Sequence, residues 1–149
     1  MNPRKNFQGF TVIELLVTTA VALVILGVAV PSFLSWLPSV RLSSAARQVA
    51  SDLQVARMRA IAQNASNTVT FNTTTGVYTF SLTSDTRDID QLYSGISFSS
   101  ISGGNPAFTP RGTTSNGGTV TITLSNGSQQ KLVCVRTVGR ISIADGSCV

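Results

Sequence analysis

Residues Phe10 to Val40 read FTVIELLVTTAVALVILGVAVPSFLSWLPSV, and from Leu15 to Val40 there is no charged side chain. Crossing the hydrocarbon core of a bilayer takes about 20 apolar residues in a helix. The run is longer than the apolar core of a removable signal peptide, about 7–15 residues, and a helical pattern follows it directly. It therefore reads as a retained anchor. Arg4 and Lys5 precede it and place its N-terminus in the cytoplasm. Glu14 stands out, because an acid within an apolar helix costs roughly 2.5–3.5 kcal/mol on insertion scales and calls for a partner or for headgroup depth.

Working outward, RLSSAARQVASDLQVARMRAIAQN after the anchor keeps helical periodicity. Leu42, Ala45, Val49, Leu53, Ala56 and Ala60 recur every three or four residues and form one apolar face, which Arg47, Asp52, Arg57 and Arg59 mostly avoid. A single helix from Phe10 to about Asn64 would be roughly 80 Å long at 1.5 Å per residue. Pro31 and Pro38 each remove a helical donor, and Gly27 is a poor helix former. Gly27 to Pro31 is the expected place for a helix break.

From Asn67 the period changes to two. Thr68–Phe71 and Val77–Leu82 flank a Thr-Thr-Gly turn and predict a hairpin. Gly118–Leu124 and Lys131–Arg136 flank Asn126-Gly127, a strong hairpin signal, and Gly139–Ile143 makes a closing strand. Ile96–Phe98 is a weaker strand, and Ser84 to Gly118 otherwise reads as loop. The predicted fold class is α+β: a long N-terminal helix, transmembrane in its first half and amphipathic in its second, packed on a small antiparallel β-sheet head in one or two layers.

Composition narrows function. With no histidine in 149 residues, imidazole-based catalysis and His-ligated metals are excluded. No side-chain set supports catalysis, no cofactor is implied, and two cysteines are too few for a Cys-only zinc site. In an exported chain, Cys134 and Cys148 read as one disulfide. Asp85, Asp88 and Asp90 lack the glycine and terminal bidentate acid of a calcium loop and read as solvated. The net charge of +5 falls to +3 without the first nine residues, a mild excess that permits an anionic partner without demanding one.

Gly9-Phe10-Thr11-Val12-Ile13-Glu14-Leu15-Leu16 resembles the processing motif of type IV prepilins and secretion-system pseudopilins. The resemblance implies a leader at 1–9, a membrane and filament-core helix at 10–40, and an amphipathic helix with a periplasmic β-rich head at 41–149. It implies cleavage between Gly9 and Phe10 by a prepilin peptidase, N-methylation of Phe10, and pairing of Glu14 with a neighbouring subunit's terminal amine. Related subunits loosen the Gly27–Pro31 region inside filaments.

Phe108-Thr-Pro-Arg-Gly112, the strand GGTVTITL and the closing Gly139-Arg140 resemble the GspH/FimT family of minor pilins and pseudopilins. This resemblance implies a structural subunit, not an enzyme. Its partners would be major and minor pilins, in the priming or tip complex of a type IV pilus. The alternatives are a minor pseudopilin of a type II secretion system and a tip subunit that binds DNA for uptake. The chain would be single-pass in the inner membrane before joining a fibre. In some FimT-type members a C-terminal Gly-Arg-x-Arg motif contacts DNA. Here Gly139-Arg140-Ile141-Ser142 keeps the first arginine and replaces the second by serine. Arg136, Lys131 and Arg111 are the residues that could restore the charge of a weak DNA-binding patch. Alternation turns Ile141 and Ile143 inward and leaves Arg140 in solvent.

Overall fold

The computed structural model describes residues 10–148, the side chain of Pro31 excepted. The chain divides into two units at Leu37 and Pro38. Helix α1, Val12–Ala62, supplies the first unit and opens the second. Thr11 accepts a hydrogen bond from the Glu14 amide at 3.3 Å, capping the N-terminus. Through the first unit the apolar side chains stand exposed, Leu23, Val28 and Phe33 among them. Among the described helices α1 is the one long and apolar enough to cross a membrane.

The expected break at Gly27 and Pro31 is not found, since α1 is continuous across both residues. Proline removes a single donor from the ladder, and the hydrogen bonds of the flanking turns hold the helix through it. The C-terminus is set by Asn64, whose φ of 48° is left-handed. The Ala65 amide reaches the Ala60 carbonyl at 3.1 Å and the Asn64 amide reaches Ile61 at 3.3 Å, the paired bonds of a Schellman stop.

In the second unit, Leu42, Ala45, Val49, Leu53, Ala56 and Ala60 are all buried, as their spacing predicts. They pack on two four-stranded sheets. The first holds β1 (Asn67–Asn72), β2 (Val77–Phe80), β3 (Thr86–Asp88) and β5 (Ala107–Phe108) in the order β3-β2-β1-β5. The second is β4-β6-β7-β8, from Ser97–Ser102, Val120–Ser125, Gln130–Val135 and Ile141–Ala144. A short helix α2, Ile89–Leu92, sits between β3 and β4 and is capped by the Asp88 carboxylate. The sheets meet through aromatic rings. Phe71 stacks on Tyr78 at 5.2 Å, and Phe98 of β4 meets Phe71 edge-on at 5.2 Å.

Three expectations need correction. Beyond the strand expected at Ile96–Phe98, which runs to Ser102 as β4, the stretch read as loop, Ser84 to Gly118, holds β3, α2 and β5. Ile143 shares a sheet face with Val133 but is 40 % exposed, because β8 is an edge strand and its far end lies beyond the cover of the core. Asp52, read as avoiding the apolar face, is buried at 7 % exposure. Its carboxylate is satisfied there by the Tyr78 hydroxyl at 2.5 Å, the Gln48 amide at 3.1 Å and Arg87 at 3.5 Å.

Candidate functional site

Two regions carry the residues singled out by sequence. The first is the N-terminal end. Gly9 lies outside the described residues. Phe10 is 78 % exposed just ahead of α1, and Glu14 lies in the first helical turn. Among the described residues the Glu14 carboxylate has no hydrogen bond or ion pair, while Thr18 and Thr19 turn their hydroxyls back onto helix carbonyls. A helix that exposes this much apolar surface needs lipid or other helices around it.

The second region is the end of the head where α1 stops. The turn after β5, Thr109 to Gly112, closes with the Gly112 amide on the Thr109 carbonyl at 2.8 Å. The turn from β7 to β8 closes with the Gly139 amide on the Arg136 carbonyl, also at 2.8 Å. Gly112 and Gly139 both take φ of 78°. The two turns meet over Arg57, whose Nε donates to the Gly112 carbonyl at 2.7 Å. A Cβ on Gly139 would stand 1.9 Å from that carbonyl oxygen and 2.7 Å from Arg57 Nε. The turns are glycine-dependent because backbone lies on backbone with a guanidinium inserted between them.

Arg111 belongs to the first of these turns, and Arg136 and Arg140 flank the second. Arg111 and Arg140 are exposed and Arg136 is half-buried. Arg57 and Arg140 line an open cleft of about 400 Å³ whose remaining wall includes Met58, Ile61 and Val138. Lys131 does not join them. It lies at the other end of β7 and forms an ion pair with Asp145. Sequence reasoning missed Arg57, because its partner glycines lie far along the chain and only tertiary packing joins them.

Cys134 and Cys148 form a disulfide with a Cα–Cα distance of 5.6 Å, which ties the C-terminal tail to β7. Thr121 of the neighbouring strand donates to the Cys148 sulfur at 3.3 Å. Burial, then the hydrogen bond to Asp52 and its charge, raise the Tyr78 hydroxyl well above the ordinary tyrosine range. At the surface, hydrogen bonds from Thr83 and Arg59 lower Asp85 below the usual carboxylate value. Among the described residues no cluster of His, Cys, Asp or Glu is arranged to hold a metal.

The family model described as type II transport protein GspH matches residues 45–139, and a prokaryotic N-terminal methylation motif matches residues 4–30. Two crystal forms of the type IV minor pilin FimU of Pseudomonas aeruginosa are similar in fold. Each has a TM-score of 0.57, at 16 % and 17 % identity. The superpositions cover 69 % of this chain, and 92 % and 87 % of those chains. Among curated proteins none is significantly similar in sequence.

Proposed function

The chain belongs to the GspH family, subunits of the type IV pilus and type II secretion class, and on that premise we propose that it is a minor pilin of a type IV pilus. It is made with the leader at residues 1–9, cut by prepilin peptidase between Gly9 and Phe10, and methylated on the Phe10 amine. Residues 10–40 hold it in the inner membrane with the head, 41–149, in the periplasm, until it joins major and minor pilins in a priming or tip complex. The observation that carries the reading is Glu14, an acid without a partner among the described residues at the start of an exposed apolar helix. Its desolvation is offset when a neighbouring subunit's terminal amine meets it. Loosening of the Gly27–Pro31 segment is a property of the assembled fibre in this reading, where neighbouring helices can satisfy freed backbone groups.

Two features favour the pilus over the type II pseudopilus: the fold likeness to a protein described as a type IV minor pilin, and the C-terminal disulfide. The test is the composition of fibres. Mass spectrometry of sheared pili should find the chain starting at N-methylated Phe10, and Glu14→Leu should leave it processed but absent from the fibres. A chain confined to the envelope of a piliated cell, or one starting elsewhere, overturns the proposal.

A second reading, DNA capture at a pilus tip, is favoured by Arg57 and Arg140 sharing one cleft, with Arg111 and Arg136 on the turns that meet over Arg57. Such a patch would hold phosphates without sequence preference and weaken steeply with salt. Lys131 drops out of it. Anisotropy titration at two salt concentrations tests it, and binding unchanged by Arg140→Ala with Arg136→Ala rejects it.

A further inference from the structure

We propose that the free edge of β8 takes up the C-terminal segment of another exported polypeptide as an added antiparallel strand, with the terminal carboxylate held at Arg140. An uncovered sheet edge presents unpaired backbone donors and acceptors, and proteins ordinarily blunt it with short strands, charges, proline or bulges. Among the described strands the edges are β3 and β5 in one sheet and β4 and β8 in the other. β3 has three residues, of which Arg87 and Asp88 are charged, and β5 has two. β4 is interrupted by the register shift between Phe98 and Ser100. β8, Ile141-Ser142-Ile143-Ala144, has none of these devices: it carries no charge and no proline, and its register with β7 is unbroken.

The pairing decides which backbone groups are free. The Arg136 amide donates to the Arg140 carbonyl at 2.9 Å, so these two residues form a hydrogen-bonded pair at the start of the β7–β8 ladder. In an antiparallel ladder such pairs alternate with pairs whose N–H and C=O groups point away from each other. Cys134 with Ser142 is therefore bonded. Ile141 and Ile143, opposite Val135 and Val133, turn their amides and carbonyls away from β7 to the open side. Among the described strands β8 pairs with β7 alone. The chain's own tail leaves this edge open, because Cys148 is tied back to Cys134 on β7 and takes a hydrogen bond from Thr121 of β6.

The cleft sets the direction and the end group of the added strand. Side chains of a strand laid beside β8 fall alternately on its two faces. On the face shared with Ile141 they meet the cleft lined by Met58, Ile61 and Val138, which are 59 %, 47 % and 65 % exposed. Arg57 and Arg140 border the same cleft, and neither forms an ion pair among the described residues. Arg140 immediately precedes β8, so a strand antiparallel to β8 ends beside it. A parallel strand would bring an N-terminal amine to two guanidiniums instead. The last residue of the antiparallel strand, opposite Ile141, puts an aliphatic side chain in the cleft and its carboxylate on Arg140. Backbone pairing supplies affinity without reading sequence, and the apolar cleft with its cations selects a C-terminus that ends in an aliphatic residue.

Peptide uptake at this edge is separate from fibre assembly, and either can fail while the other stands. The probe is a short fluorescein-labelled synthetic peptide of alternating threonine and valine, ending in valine, titrated by anisotropy into the full chain in detergent. The free acid should bind, and its C-terminal amide about tenfold more weakly. Arg140→Ala should narrow that gap by weakening the acid. Methylating the peptide's last backbone nitrogen removes the donor to the Ile141 carbonyl and should abolish binding to the unaltered protein. Ile143→Pro should do the same, because it deletes an outward amide that β7 does not use. On addition of the free acid, NMR should show slowed exchange at the Ile141 and Ile143 amides and an unchanged rate at Ser142, which is already bonded to β7. Equal binding of acid and amide, indifference to N-methylation, unchanged exchange at Ile141 and Ile143, or a head that binds duplex DNA and no peptide overturns the proposal.

Discussion

Replacing Gly139 by alanine tests whether the two turns over Arg57 hold the head together. The new Cβ would stand 1.9 Å from the Gly112 carbonyl oxygen and 3.0 Å from its carbon, so backbone has to move. Two costs add. Alanine at φ of 78° takes on the left-handed penalty of about 1–2 kcal/mol. Moving the carbonyl breaks its bond with the Arg57 guanidinium, and a hydrogen bond to a charged group is worth about 1.5–3 kcal/mol. The sum, roughly 2.5–5 kcal/mol, is a large fraction of the 5–15 kcal/mol that stabilises a typical domain. For a head of this size it lowers the melting temperature by on the order of 10–20 °C. The assay is near-ultraviolet circular dichroism of the full chain in detergent, because both tyrosines, Tyr78 and Tyr93, lie in the head. Gly127→Ala is the matched control, with a φ of 88° and nothing within 4 Å of the added carbon. It should show the conformational penalty alone. In an Arg57→Ala background part of the Gly139→Ala cost has already been taken, so the two should be less than additive. If Gly139→Ala costs no more than Gly127→Ala, or adds fully to Arg57→Ala, the lock is not what the contact geometry implies.

Reducing the Cys134–Cys148 bridge opens a loop with ends 14 positions apart, and denaturant titration with and without reductant should show a loss of about 3 kcal/mol. Tyr78 has its folded pKa raised by burial and by Asp52. The associated stability is therefore full below the unfolded tyrosine value of about 10 and is lost as pH rises beyond it. Alkaline melts should fall steeply, with tyrosinate absorbance rising as the head unfolds. Tyr78→Phe should flatten that fall while costing about 1.5–3 kcal/mol at neutral pH through the lost bond to Asp52. Asn67→Ala removes the donor that meets the Ala56 carbonyl at 3.0 Å, and should cost about 1–3 kcal/mol in the same melts.

How much of this was legible follows from what each segment must satisfy alone. The apolar N-terminal run reads directly, because a helix long enough to cross lipid announces itself as an unbroken apolar stretch whatever the rest of the chain does. The helix stripe reads equally well: all of its predicted positions are buried. Strands β1 and β2 alternate cleanly and were anticipated. β4, SFSSIS, was harder, because a register shift between Phe98 and Ser100 puts Phe98 and Ile101 three apart and breaks the period of two. β5 is two residues long, too short for any period. Asp52 was misread because an acid beside an apolar stripe ordinarily faces water. Its partners Tyr78 and Arg87 come from β2 and β3 and are visible only once those strands dock on α1.

The same reasoning separates two roles within the short string Gly139-Arg140. Gly139 is needed because Gly112 and Arg57 leave no room for a side chain, so the glycines of both C-terminal marks meet at one helix residue that belongs to neither. That is a packing requirement, and it accounts for the Phe108–Gly112 turn and the closing turn occurring together without reference to any ligand. Arg140 has no such duty. Its backbone carbonyl holds the Arg136 amide at 2.9 Å, but its side chain is exposed and unpaired among the described residues. The lock fixes where Arg140 stands, and the guanidinium remains available for a phosphate or a carboxylate. Changes at Gly139 should therefore act on the melting temperature first and on every binding property only through it. Arg140→Ala should leave the melt unchanged and act only on what the cleft holds. A variant series in which Arg140→Ala destabilised the head as much as Gly139→Ala would erase that distinction.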